Sequence, residues 1–122
     1  MAALTCEIAD HVATITIVRP AVRNALNRQV ILEFHATLDR LAHKGSGAKA
    51  IVLTGAGTAF CSGVDLTSVD LSTPSGRQAA HFAMRAMLDP LMAKLCEYRY
   101  PIVAAVNGPA VGAGMSLALR CV

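Results

Sequence analysis

The sequence predicts an α/β fold with a largely parallel sheet. Short β-rich apolar runs alternate along the chain with stretches of helical periodicity, which is the pattern of strands joined by helical crossovers. The run at 48–53 (AKAIVL) is apolar enough to lie inside a parallel sheet with both faces covered. No internal repeat or low-complexity tract points to another architecture.

The elements follow in order. Residues 4–8 and 12–18 alternate, with Ala13, Ile15 and Ile17 on one face and Thr14 and Thr16 on the other, so two strands joined by a tight turn near 9–11 are expected. After Arg19-Pro20 comes a polar turn. Val30, Ile31, Phe34, Leu38 and Leu41 then recur at helical spacing, with Asn27 placed to cap the helix. The Gly/Ser breaker at 44–47 ends it, and 48–53 is the central strand. Residues 54–66 (TGAGTAFCSGVDL) form a Gly-rich loop, and the Ser, Thr and Pro at 67–76 suggest a mobile connection. Between 79 and 98, Met84, Met87, Leu88, Leu91, Met92 and Leu95 share one side of a second helix, which Pro90 is expected to kink or restart. That stripe reads first as core, with pocket lining as the alternative use of its flexible methionines. Residues 101–106 read as a further buried strand, 107–114 as a turn, and 115 onward as a helix.

The 122 residues suffice for one domain. With 54% hydrophobic and 16% charged residues, the chain must bury much of its surface in a core or a subunit interface. Every apolar run falls well short of the ~20 residues that span a bilayer. The net charge of +3 arises from dispersed Lys and Arg rather than a basic stripe, which argues against nucleic acid. Cys6, Cys61, Cys96 and Cys121 form no CxxC pair, so neither a metal site nor a redox dithiol is indicated, and reduced, mostly buried thiols are expected. The N-terminus, with Glu7 and Asp10, lacks a basic segment followed by an apolar one. It is therefore read as no secretory signal and the protein as intracellular, in the cytoplasm, mitochondrion or peroxisome.

Two Gly-rich turns follow strands, at 55–57 and 112–114. Neither completes a dinucleotide fingerprint, because Phe60 and Leu117 stand where a third Gly is required, and no phosphate-loop GK pair is present. The second turn places the N–H groups of Ala113 and Gly114 at a helix start. If the loop AFCSGVDL folds beside it, an N–H near Ser62 would face that of Ala113, and two converging donors can hold one oxyanion. Taken singly, each turn is better explained by glycines that permit tight geometry.

Three segments, RPAVRNALN, AFCSGVDL and PIVAAVNGPAVGAGMSLAL, occur in the order and spacing of the enoyl-CoA hydratase/isomerase (crotonase) family, and the chain resembles that family over nearly its whole length. The resemblance implies a spiral of ββα units, here truncated, with 1–122 forming the N-terminal part of the domain and the C-terminal half absent. It implies an acyl-CoA thioester as ligand, with no separate cofactor because CoA is part of the substrate. It implies the backbone N–H groups of Ser62 and Ala113 as the oxyanion hole. Around the CoA path it implies Val22, Arg23 and Ala25, with Gly63, Val64, Asp65 and Leu66 from the second segment and Gly112 and Gly114 from the third. A homotrimer or hexamer is implied for a full-length protein.

Hydratases of the family carry a first glutamate two residues after the last glycine of the third segment, where this sequence has Ser116. A hydroxyl with no base beside it cannot accept a proton at neutral pH as a carboxylate does. Isomerases of the family, which move a 3-enoyl double bond to the 2 position, work with a single later carboxylate, which would lie beyond Val122. Three readings follow: an enoyl-CoA isomerase, a hydratase or other family activity, and a non-catalytic acyl-CoA binder or subunit-interaction fragment. Asp65 is read as loop-structuring, and His11, His35, His43 and His81 as surface or helix residues.

Overall fold

Strand β1 (Leu4–Ala9) turns back on β2 (Val12–Ile17) through Asp10 and His11, both at positive φ, 52° and 65°. Two left-handed residues give a hairpin turn whose twist matches that of the strands it joins. From β2 the chain passes through a short 3-10 turn, Pro20–Val22, to helix α1 (Arg28–Ala42) and returns as β3 (Ala50–Gly55). Helix α2 (Pro74–Cys96) carries it to β4 (Ile102–Ala104), and helix α3 (Ala113–Leu119) follows. This computed structural model describes residues 2–67 and 70–121.

The four strands lie in the order β1-β2-β3-β4. The β1–β2 pair is antiparallel, whereas β2–β3 and β3–β4 are parallel, with Ile15 opposite Leu53 and Leu53 opposite Ala104. Each parallel pair is joined through a helix, as the alternating sequence pattern requires. The α/β prediction therefore holds, with β3 central.

One face of the sheet makes the core. Ala13, Ile15, Ile17, Ile51 and Leu53 are all fully buried against Val30, Phe34, Leu38 and Leu41 of α1. Each of these side chains other than that of Ala13 contributes roughly 1.5–3 kcal/mol by leaving water. Asn27 caps α1 by accepting the Val30 N–H at 2.9 Å. The other face is only half-buried at Val52 and Thr54, so β3 is not covered on both sides as its composition suggests. Val103, which pairs with Val52, is exposed, as are Val106, Val111, Met115 and Leu119, and β4 is an edge strand.

Helix α2 differs from expectation in two ways. It starts at Pro74, because Thr73 caps it by accepting the Gly76 N–H at 3.0 Å, so it begins ahead of the expected 79 and takes in the last three residues of the expected mobile connection. It also runs through Pro90 without restarting. The apolar stripe divides: Leu91 and Leu95 are buried in the core, while Met87, Leu88 and Met92 pack partly against it. Of the four cysteines only Cys61 is buried, and all four are free thiols. No helix among the described residues is long and apolar enough to cross a membrane.

The end of α2 is fastened to α1 by Lys94 to Asp39 at 2.8 Å and by the Tyr98 hydroxyl, which donates to the Leu38 carbonyl at 2.5 Å. Burial, and secondarily Tyr100, pushes the Tyr98 phenol up to about 12. The unfolded phenol ionises near pH ~10. Its contribution to stability is therefore complete below that pH and is lost as pH rises from there through about 12. Comparing chemical unfolding of the wild type and Tyr98→Phe should show their stability difference shrinking across that alkaline window. Parallel curves would show that this phenol is not linked to folding.

Candidate functional site

Beyond the strand ends, three loop segments run side by side. Leu26 pairs with Val64 and Cys61 with Ala110, each as an isolated parallel bridge. The first is made by Leu26 N–H to Gly63 O at 2.7 Å and Asp65 N–H to Leu26 O at 2.8 Å. The second is made by Cys61 N–H to Pro109 O at 3.3 Å and Val111 N–H to Cys61 O at 3.0 Å. The two loops that the sequence placed side by side are thus hydrogen-bonded together.

Glycine permits the closest approach. A Cβ on Gly114 would overlap the Cys61 carbonyl oxygen and lie 2.9 Å from the Cys61 Cβ. Gly63, at φ 101°, is the other requirement, since a Cβ there would lie 3.0 Å from Val111 O and 3.6 Å from Ala113 N. The backbone of the first loop therefore rests directly on the start of α3.

The expected donor pair needs one correction. The Ser62 N–H donates to the Arg23 carbonyl at 3.0 Å, and the Ser62 hydroxyl donates to Val22 O at 3.1 Å. Ser62 is turned toward the first segment, so its N–H is not available to a ligand. Its neighbour Gly63 donates its N–H to the Cys61 sulfur. One peptide further, the Val64 N–H meets no acceptor among the described residues, and neither does that of Ala113. Gly114 N–H is taken by Val111 O at 2.9 Å. Over the described residues α3 is only seven residues long, so a helix dipole adds little to these two free N–H groups.

The remaining expected residues distribute around this pair. Val22 and Leu66 are exposed, at 39% and 45%, as is Arg23. Ala25 is buried and its carbonyl accepts from Arg19 Nη1 at 2.6 Å, so it braces the loop and offers no side-chain surface to a ligand. Gly112 is exposed at φ 57°. Asp65 bridges to Arg19 at 3.1 Å and accepts from both the hydroxyl and the N–H of Thr67. Those Thr67 bonds, and then Arg19, hold its carboxyl below the usual carboxylate range, so it is an ionised structural brace at neutral pH. Burial raises the Cys61 thiol, which keeps it protonated and inert.

Two cavities flank the pair. One, of about 420 Å³, is lined by Leu26, Val64, Asp65, Ala80 and Met84. The other, of about 660 Å³, has Met84, Leu88 and Met92 of α2 on one wall and Ala113, Ser116 and Arg120 on the facing one. The methionine stripe thus lines a cavity as well as touching the core. Asp89, held by Arg85 at 3.3 Å, is the carboxylate that reaches the larger cavity, and the sequence reading did not single it out. No histidine lines either of them. No cluster of three His, Cys, Asp or Glu side chains suited to a metal is present among the described residues.

Three further residues that hold the site were missed in the sequence. Asn24 is fully buried at φ 60°, accepts the Arg19 N–H at 2.9 Å, and donates to Ala56 O and Ala59 O at 2.9 and 2.8 Å. Asn107 accepts the Gly55 N–H at 3.1 Å and donates to Gly57 O and Ala59 O at 3.1 and 3.0 Å. Arg19 joins Ala25 to Asp65. The available signal was an asparagine in the first and in the third loop segment, a side chain that tolerates left-handed backbone and can bond to nearby main chain.

A mostly parallel α/β sheet thus carries, in two loops pressed together, two free backbone donors, each beside a cavity against α2. The model of the family described as enoyl-CoA hydratase/isomerase matches residues 7–121, and the chain belongs to that family. It is 44% identical over 115 residues to a probable enoyl-CoA hydratase, echA6, of Mycobacterium bovis, covering 93% of this chain and 42% of that one. It is 39% identical over 119 residues to 4-chlorobenzoyl coenzyme A dehalogenase-2 of an Arthrobacter species, covering 97% and 42%. Among solved structures, the enoyl-CoA hydratase of Bacillus anthracis superposes with a TM-score of 0.83 at 27% identity, over 98% of this chain and 45% of that one. A putative enoyl-CoA hydratase of Streptomyces coelicolor gives 0.80 at 34%, over 98% and 43%. The fold is accordingly the crotonase type in truncated form, since the chain spans about two fifths of the length of the curated relatives it matches.

Proposed function

We propose that this chain forms the thioester-binding part of an acyl-CoA enzyme, with the N–H groups of Val64 and Ala113 holding the thioester oxygen. The observation that carries this reading is the pair of unengaged donors, one in each of two loops pressed together at Gly63 and Gly114. Removing a proton from the carbon beside a thioester places negative charge on that oxygen, and preorganised donors stabilise the enolate. Each is worth on the order of 3 kcal/mol in comparable holes.

The reaction proposed for the whole protein is isomerisation of a 3-enoyl-CoA to a 2-enoyl-CoA. A base takes the proton from C2, the charge rests on the thioester oxygen, and the proton returns at C4 as the double bond moves. Ser116 supports isomerisation over hydration, since it lines the cavity beside Ala113 where a water-activating carboxylate would be needed. The base is proposed to come from a segment outside this chain. Hydration remains the second reading, favoured by the names of the relatives.

Calorimetric titration of the chain with 3-hexenoyl-CoA beside free CoA tests the binding part. Saturable binding that prefers the thioester is expected, and equal affinity for both would overturn it. Binding without turnover in the chain by itself agrees with a base supplied from elsewhere.

A further inference from the structure

The larger cavity is an oriented groove. Along α2, Met84, Leu88, Met92 and Cys96 recur every fourth residue and form one rail, while Ala113, Ser116 and Arg120 lie at helical spacing on the facing side. Met84 also borders the smaller cavity together with Val64, so the Met84 end is the end at the paired donors. The opposite end is fixed by Arg120, whose Nη1 lies 3.1 Å from the Cys96 sulfur. At a rise of about 1.5 Å per residue, Arg120 stands about 10 Å along the helix direction from Ala113.

The charges along the groove are unequal. Toward the Met84 end Arg85 is paired with Asp89 at 3.3 Å, whereas at the far end the Arg120 guanidinium meets only the neutral Cys96 sulfur and no carboxylate among the described residues. A guanidinium presents a planar fork of donors matched to a carboxylate, and a thiol leaves most of that fork unused. Between the two ends Leu88 and Met92 give the rail apolar surface, beside the mutually paired Arg85 and Asp89. A ligand that fits has an oxygen at one end, methylenes between and an anion at the other.

We propose that the groove takes acyl thioesters whose acyl chain ends in a carboxylate, with Arg120 binding that carboxylate and setting the preference. This rests on the thioester reading above. Arg120 is exposed, so its pairing energy is screened and an effect of about fivefold is the scale to expect.

The test titrates the chain with adipoyl-CoA, hexanoyl-CoA and free CoA. Adipoyl-CoA is expected to bind about fivefold more tightly than hexanoyl-CoA, the margin shrinking at high salt. Arg120→Gln should bring the ratio of adipoyl-CoA to hexanoyl-CoA affinity to about one, and Arg120→Lys should keep part of the margin. A cooperative unfolding transition shows that the variant is folded. If adipoyl-CoA and hexanoyl-CoA bind alike, and both better than CoA, the carboxylate preference is overturned and the thioester site stands. If neither exceeds CoA, both fall.

Discussion

Asn24→Ala is expected to lower the unfolding free energy by about 3–4 kcal/mol, among the largest effects of any single polar substitution in the chain. Asn24 is fully buried and makes three hydrogen bonds, from the Arg19 N–H and to Ala56 O and Ala59 O. Alanine leaves the Arg19 N–H and Ala56 O without that partner, at about 1–3 kcal/mol for each one that water cannot reach, and takes from Ala59 O one of its two donors, the other being Asn107. The substitution also forces a Cβ-bearing residue with no compensating side-chain bond to hold φ 60°, which costs about 1 kcal/mol more. Asn24→Gly separates the two contributions, since it relieves the backbone and still loses the bonds. Urea unfolding of the three proteins gives the ledger directly. A loss under about 1 kcal/mol for the alanine variant would mean that the loop re-forms its bonds with solvent and is less dependent on Asn24 than its burial indicates.

The second large effect concerns Gly114. Its replacement by alanine drives a Cβ into the Cys61 carbonyl oxygen and against the Cys61 Cβ, and neither backbone can yield without opening the Cys61–Ala110 bridge. Overpacking of this kind costs about 1–3 kcal/mol. The functional loss should exceed the stability loss, because the same displacement moves Ala113 away from Val64, and a shift of about 1 Å is enough to misalign a preorganised pair. Gly114→Ala is therefore expected to bind 3-hexenoyl-CoA no better than free CoA while retaining a cooperative unfolding transition. Gly45→Ala is the control, as it has open space around the added Cβ and an ordinary φ. It should change neither stability nor binding by more than about 0.5 kcal/mol. Retained thioester preference in Gly114→Ala would show that the oxygen is held somewhere other than at the junction of these loops.

Why some of this was legible in the sequence and some was not follows from the range over which each feature is encoded. The period-2 alternation at 12–17 and the helical spacing of Val30, Phe34 and Leu38 are local, and both elements fall where the pattern puts them, down to the Asn27 cap. Helix α2 was set too late because its start depends on a Thr73 cap in a Ser/Thr/Pro-rich stretch that reads as loop. Its passage through Pro90 is a tertiary outcome: Leu91 and Leu95 anchor the following turns in the core, and burial outweighs one lost main-chain bond. Covering of β3 on both faces was expected from its composition. The structure leaves one face half-open, and composition does not say whether the apolar surface is covered within this chain.

At the site the division is sharper. The sequence by itself determined the α/β class, the family, and the two glycine-bearing loops. These are set by short motifs whose glycines, turns and spacing act within a few residues. Only the tertiary structure decided that the Val64 N–H is free and that of Ser62 is not, that Asn24 and Asn107 both grip Ala59, and that Arg120 lies beside Cys96 at the groove. The reason is physical: a backbone N–H is identical at every residue, so which one remains available depends on which carbonyls of distant segments claim its neighbours.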